Sequence, residues 1–212
     1  MKIYYPNGIY HVYNRGVEKR DIFLENNDYV RFLHLLKTAL LPPELLREEH
    51  ENQGATLLKT QQYRPRKNFF GKIKLICYCL EPNHFHFLVQ QVDGDSLTQF
   101  IHSLCTAYSM NFNQKYQRVG SLFQGIFKAA NIDDENYLLW VSRYIHRNPV
   151  DFKQHPYTSY DNFLGKKKTE WLYPELVLDC FQSVRKSKES NYQEFVEAEK
   201  EDPVEISSLW LE

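Results

Sequence analysis

The chain has 212 residues, enough to bury the core of one domain with extensions, and its 15% aromatic and 25% charged content excludes a disordered polymer. Its net charge of −1 says little until it is divided along the chain. From Thr169 onward there are 4 basic and 11 acidic residues, while the first 168 residues hold 22 basic, 16 acidic and all eight histidines, so a basic body compatible with a polyanionic partner carries an acidic tail. No stretch reaches the ~18 apolar residues needed to cross a bilayer, and MKIYYPNG lacks the apolar run of a signal peptide. Cys77, Cys79, Cys105 and Cys180 show no CxxC spacing, and the i, i+2 pair is poorly placed for a disulfide. Reduced thiols, no membrane partner and a cytoplasmic location are expected.

In chain order, GIYHVYNRG (Gly8–Gly16) reads as a strand entering a polar turn. NDYVRFLHLLKTAL follows as a helix, with Tyr29, Phe32, Leu35 and Leu36 at helical spacing and Asn27 as its cap. Residues 41–71 are polar, contain prolines and have no clear period, so they read as an inserted loop with room for a short helix. KIKLICYCLE and HFHFLVQQ form a hairpin about Pro82-Asn83. Ser96 with Gln99 has capping-box spacing, and Leu97, Phe100, Ile101, Leu104, Tyr108 and Phe112 then define one face of a second helix. LFQGIFKAANI (residues 122–132) reads as a fourth strand. Asp133 and Asp134 open the helix ENYLLWVSRYIHRN, which Pro149 stops. The order β-α-β-β-α-β-α predicts an α+β chain: a ferredoxin-like, split-βαβ antiparallel sheet with helices on one face and the other left open. Residues 1–165 form this domain and 166–212 an acidic, mostly helical extension.

Alternation along HFHFLVQQ puts His84, His86, Leu88 and Gln90 on one face and Phe85, Phe87 and Val89 on the other. Two imidazoles roughly 7 Å apart on a rigid strand can converge on one cation, or they can be buried histidines satisfied by carbonyls or a carboxylate. Tyr144 and Asn148 stand at i and i+4, on one helix face, as a hydroxyl nucleophile and an oxygen ligand. An oxygen ligand beside two imidazoles suits Mg²⁺ or Mn²⁺ better than a closed structural zinc site. His146 competes as a ligand but points off the Tyr144 face. Periodicity by itself reads Tyr144 as a core aromatic beside Val141 and Ile145.

Four motifs, in this order, carry a resemblance: YHVYNRGVEKRDIF, PNHFHFLV, LFQGIFKAANI and RYIHRNPV. Together, over about residues 5 to 165, they resemble the HUH-type single-tyrosine transposases, both insertion-sequence-200-like enzymes and, more closely, their REP-associated relatives. The resemblance implies that His84 and His86 bind a divalent ion, completed by Asn148, and that Tyr144 attacks single-stranded DNA with hairpin structure, leaving a 5′-phosphotyrosine. It also places Asn14 and Arg15 near the DNA. Glu81 departs from the family pattern, which has methionine before PNH, and the 41–71 loop is longer than usual.

Further DNA contacts are expected from Lys128, before the tyrosine helix, and from Arg64, Arg66 and Lys67. These last three lie in KTQQYRPRKNFFGKIK, which has no acid and interleaves Tyr63, Phe69 and Phe70. Basic residues on phosphates with aromatics stacking bases suit single strands. The expected activity is that of a DNA nicking and rejoining enzyme; the alternative is a non-catalytic single-strand binder or domesticated repressor on the same sheet. A monomer and a homodimer are both open.

Overall fold

The computed structural model describes residues 4–52, 67–185, 190–199 and 203. Its centre is a sheet of β1 (Ile9–Arg15), β2 (Ile73–Glu81), β3 (His84–Gln91) and β4 (Lys128–Ile132). The spatial order is β2-β3-β1-β4, with each neighbouring pair antiparallel. Helix α1 (Asn26–Leu40) connects β1 to β2, and α3 (Ser96–Lys115) connects β3 to β4. This is the split-βαβ arrangement that the element order predicts. The strand read over residues 122–132 is shorter, because Gly125, in a left-handed conformation at φ 69°, turns the chain before Lys128. Helix α2 (Pro43–Asn52) occupies the start of the segment read as an inserted loop.

Local chemistry sets the helix ends, although not at the residues expected. Glu25 and Asp28 form the capping box of α1, displacing Asn27 from that role. Asp93 accepts from both the backbone nitrogen and the hydroxyl of Ser96 at 2.8 and 2.7 Å, so an acid upstream caps α3. Helix α4 (Glu135–Arg147) is capped as read, with Asp134 accepting from the Tyr137 nitrogen at 2.8 Å.

Strand alternation divides the interior into two cores. Val12, Leu75, Tyr78, Phe85, Phe87 and Val89 point to α1 and α3, where Phe32, Leu36, Phe100 and Leu104 meet them. Each fully buried side chain of this size contributes about 1.5–3 kcal/mol. The opposite face carries Ile76, Cys77, Cys79 and Leu88, and it is not open. It is covered by α4 together with α6 (Glu175–Arg185) and α7 (Tyr192–Glu197). The expectation of helices on one face therefore needs correcting: Leu88 and the two cysteines require an apolar cover, and the strongly amphipathic α4 supplies it. A four-residue α5 (Tyr160–Phe163) follows a segment that runs along the outer edge of β2. There the Leu80 and Ser159 nitrogens donate to Tyr157 and Tyr78 carbonyls, both at 3.0 Å.

Arg143, 1% exposed, joins the extension to α4. Its Nε donates to the Phe195 carbonyl at 3.1 Å, and an η nitrogen donates to Ala198 at 2.7 Å. Arg147 donates to the carbonyls of Val196 and Ala198. These are carbonyls at the end of α7 that have no later helical turn to bond them.

Candidate active site

The pleat brings three histidines onto the α4 side of the sheet. Cross-strand pairing sets Tyr13 opposite His86 and Arg15 opposite His84, and His11 lies one pleat from Tyr13. His11 and His86 are both fully buried, and His11 Nε2 stands 2.8 Å from His86 Nδ1. The His84 and His86 rings are edge to face, with centroids 4.9 Å apart. Tyr144 comes down from α4 and presents its ring edge-on to His86 at 5.4 Å and to His11 at 5.9 Å. Asn148 keeps helical backbone angles (φ −56°, ψ −43°) despite the following proline, so the one-turn relation to Tyr144 survives. Its Oδ1 lies 2.9 Å from His84 Nε2. Tyr144, His84, His86 and Asn148, predicted from separate motifs, therefore meet at one place.

Burial keeps these imidazoles neutral, as ligands must be. Desolvation brings His84 down to about 4, aided by the nearby Arg15 charge against the opposing pull of Asn148. His86 is held well below its ordinary value by desolvation and then by His11 and His84, and His11 is lowered to about 3 by desolvation.

A neutral imidazole carries one proton, and His84 has two oxygen neighbours. Its Nδ1 is 2.6 Å from Asn83 Oδ1. If Nδ1–H donates there, the bare Nε2 faces the Asn148 oxygen, and two acceptors oppose each other. Turning the Asn148 amide relieves this, and so does a cation shared by both lone pairs. Their 2.9 Å separation equals the spacing of adjacent ligands, about 3 Å, in an octahedral shell of about 2.1 Å radius. His86 Nε2 is buried and has no hydrogen-bond partner among the described residues. For that nitrogen to be a ligand, His86 must carry its proton on Nδ1 and donate it to His11. The donor set thus fits a divalent ion, with His11 fixing the tautomer of His86 from behind.

Lys128 and Arg15 border this centre. Lys128 Nζ sits 5.8 Å above the Tyr13 ring, which itself lies 5.6 Å from His86. Tyr13, Arg15, Gln124 and Lys128 line a small pocket of about 90 Å³. Asn14 is buried between this pocket and a larger groove on the α3 side. Lys67 is not brought to the centre: it donates to Gln99 of α3 at 3.2 Å, beyond the opposite sheet face. Arg64 and Arg66 lie outside the described residues. Phe69 is core, 3% exposed, and cannot stack a base, whereas Phe70 is exposed.

Two further clusters hold histidines. His146 is buried against the hydroxyls of Tyr192 and Ser159 at 3.0 and 2.9 Å, away from the Tyr144 site, and ties α4 to the extension. Cys79, Glu81 and His155 bring ligand atoms within 4.8 Å of one another, but His155 Nε2 is engaged with the Leu80 carbonyl at 2.8 Å. Burial raises the Glu81 carboxyl, with His155 as the opposing influence. Sequence reading missed His11 and Tyr13. The signal available was that both share the alternation of Arg15 in a strand destined to pair with HFHFLVQQ.

A family model described as IS200-like transposase matches residues 57–148. Over those residues the chain resembles the IS200-like transposases. The matched part runs from before β2 to the end of α4 and includes His84, His86, Tyr144 and Asn148. The match falls on the same family that the four sequence motifs resemble. The fold resembles the solved structure of a REP-associated tyrosine transposase bound to a REP hairpin, at 12% identity and a TM-score of 0.52, covering 82% of this chain and 95% of that one. No curated protein sequence matches the chain.

Proposed function

We propose that this protein is a transposase, a metal-dependent single-stranded DNA endonuclease and strand transferase that works through a 5′-phosphotyrosine on Tyr144. One observation carries the reading: the Tyr144 ring is packed 5.4 Å from His86, one helical turn from the Asn148 oxygen that touches His84. His84, His86 and Asn148 would hold Mg²⁺ or Mn²⁺, and when bound the ion supplies polarisation of the scissile phosphate. Tyr144 Oη attacks phosphorus and loses its proton to solvent. The P–O3′ bond breaks, and O3′ takes up a proton as a free 3′-hydroxyl. Arg15 and Lys128 would hold the phosphates on either side, and Tyr13 would keep Lys128 near the centre. Because the tyrosyl ester conserves the energy of the bond, a second 3′-hydroxyl can reverse the step and join a new strand.

Hairpin-bearing DNA is the proposed substrate, by likeness to the REP-hairpin-bound transposase. The site is assembled within one chain, which supports cutting by a protomer's own tyrosine.

The test uses a 3′-labelled hairpin-bearing single strand incubated with Mn²⁺ or Mg²⁺ and run on a denaturing gel. The wild type should retain the label as a protein–DNA band whose adduct maps to Tyr144. Tyr144→Phe, which keeps the ring and its packing, should lose the band. Cutting without an adduct would make water the nucleophile, and binding without cutting would make the chain a non-catalytic binder.

A further inference from the structure

A groove of about 600 Å³ lies between α3 and the 121–127 segment, on the α3 side of the sheet rather than the histidine side. Its volume is that of a small-molecule site. Ile101, Leu122 and Phe123 give it an apolar floor, while Ser109 and Thr106 add hydroxyls. Met110 and Ile126 stand on its border 67% and 85% exposed, an arrangement that burial in the fold does not explain.

The position of the groove indicates its occupant. It shares Asn14 and Ile126 with the small pocket lined by Arg15 and Lys128. An apolar trough therefore continues from a pair of cations beside the catalytic centre. At the junction, Gly125 leaves open space where a side chain would stand. An apolar peptide would have no use for the cations, and an anion alone would have no use for the trough. A single strand has both parts, with phosphates for Arg15 and Lys128 and planar rings for the trough.

Resting on the DNA-processing reading above, we propose that this groove receives unpaired nucleobases of the strand whose phosphates lie at Arg15 and Lys128. Bases slot against Phe123, Ile126 and Met110, and the hydroxyls and Asn14 read their edges. The groove thereby contributes affinity, and sequence preference, that the phosphate contacts cannot.

The experiment compares binding of a labelled oligothymidylate with an abasic strand of the same length, by fluorescence anisotropy in EDTA, so that cleavage plays no part. The wild type should bind the thymidine strand roughly tenfold more tightly or better, given the usual worth of one stacked base. Ile126→Ser removes an exposed wall without touching the core, and Ser109→Trp fills the trough; both should bring the ratio close to one. The salt dependence, which reports phosphates, should stay as it was. A wild-type ratio near one would overturn the pocket while leaving the DNA reading standing. A ratio unchanged in both variants would move base binding elsewhere and overturn it too. Failure to bind either strand would overturn both readings.

Discussion

His11→Phe tests the arrangement behind the proposed metal ligands. His86 Nδ1 is buried at 2.8 Å from His11 Nε2, and phenylalanine of similar size removes that acceptor. Leaving one buried donor unmatched costs about 1–3 kcal/mol. His11 Nδ1, however, is itself buried without a hydrogen-bond partner among the described residues, and the substitution removes that group as well. One unsatisfied group replaces another, so the net change in unfolding free energy should stay within about 1 kcal/mol. The ligand does not share this cancellation. Without an acceptor at Nδ1, nothing holds the His86 proton away from Nε2, and loss of such a partner typically weakens metal binding or activity 10–100-fold. Urea unfolding and a Mn²⁺ titration of cleavage separate the two effects. A variant of near-normal stability whose half-saturating Mn²⁺ rises at least tenfold is expected, with His11→Gln, which retains an acceptor, falling between. An unchanged Mn²⁺ requirement would refute the tautomer assignment.

Arg143→Ala should lower stability by roughly 1–3 kcal/mol, since it removes the buried donor to the Phe195 carbonyl, while Ala198 keeps its bond from Arg147; chemical denaturation that finds less than 1 kcal/mol would show that α7 is not held this way. Burial lowers His146 to about 3, so between that value and 6.5 the unfolded chain binds the extra proton and stability falls as pH drops below 6.5, by ~1.4 kcal/mol per unit. His146→Gln should flatten unfolding free energy against pH over 6 to 4, and an unaltered slope would count against the buried neutral form. Replacing Arg15 and Lys128 together by alanine should reduce the log–log salt slope of single-strand binding by about 1.4, and no change in slope would remove both from the phosphate path. Mixing Tyr144→Phe with His84→Ala protein should restore no cleavage, because the tyrosine packs on its own chain's histidines; recovery in the mixture would mean that tyrosines are exchanged between chains.

The sheet was legible because alternation in HFHFLVQQ and KIKLICYCLE is a period-2 signal with few competing explanations. Cap positions were less legible: Asp, Ser and Glu all satisfy free helix nitrogens, and Asp93 outcompetes Ser96 only because the preceding turn aims its carboxylate at two Ser96 donors. Lys67 and Phe69 show a further limit. Composition makes KTQQYRPRKNFFGKIK a nucleic-acid contact, yet Phe69 is core and Lys67 turns to α3. Charge and aromatic content do not say which surface a loop faces.

The cover of the second face was the hardest part to read. Val141 to His146 are all buried, including Arg143 and His146, which as sequence look like a polar flank. An amphipathic period places only one side of α4 against the sheet. The other side becomes interior because α6 and α7 return from beyond residue 170, and neither leaves a signal near residue 144. Arg143 can be buried only if carbonyls are brought to it, and α7 brings them at its terminus. The same contacts that hide the polar flank also fix the helix carrying Tyr144. Its ring can then rest against His86 with 7% exposure, where a nucleophile on a freely hinged helix would have to be repositioned for each strand it cut.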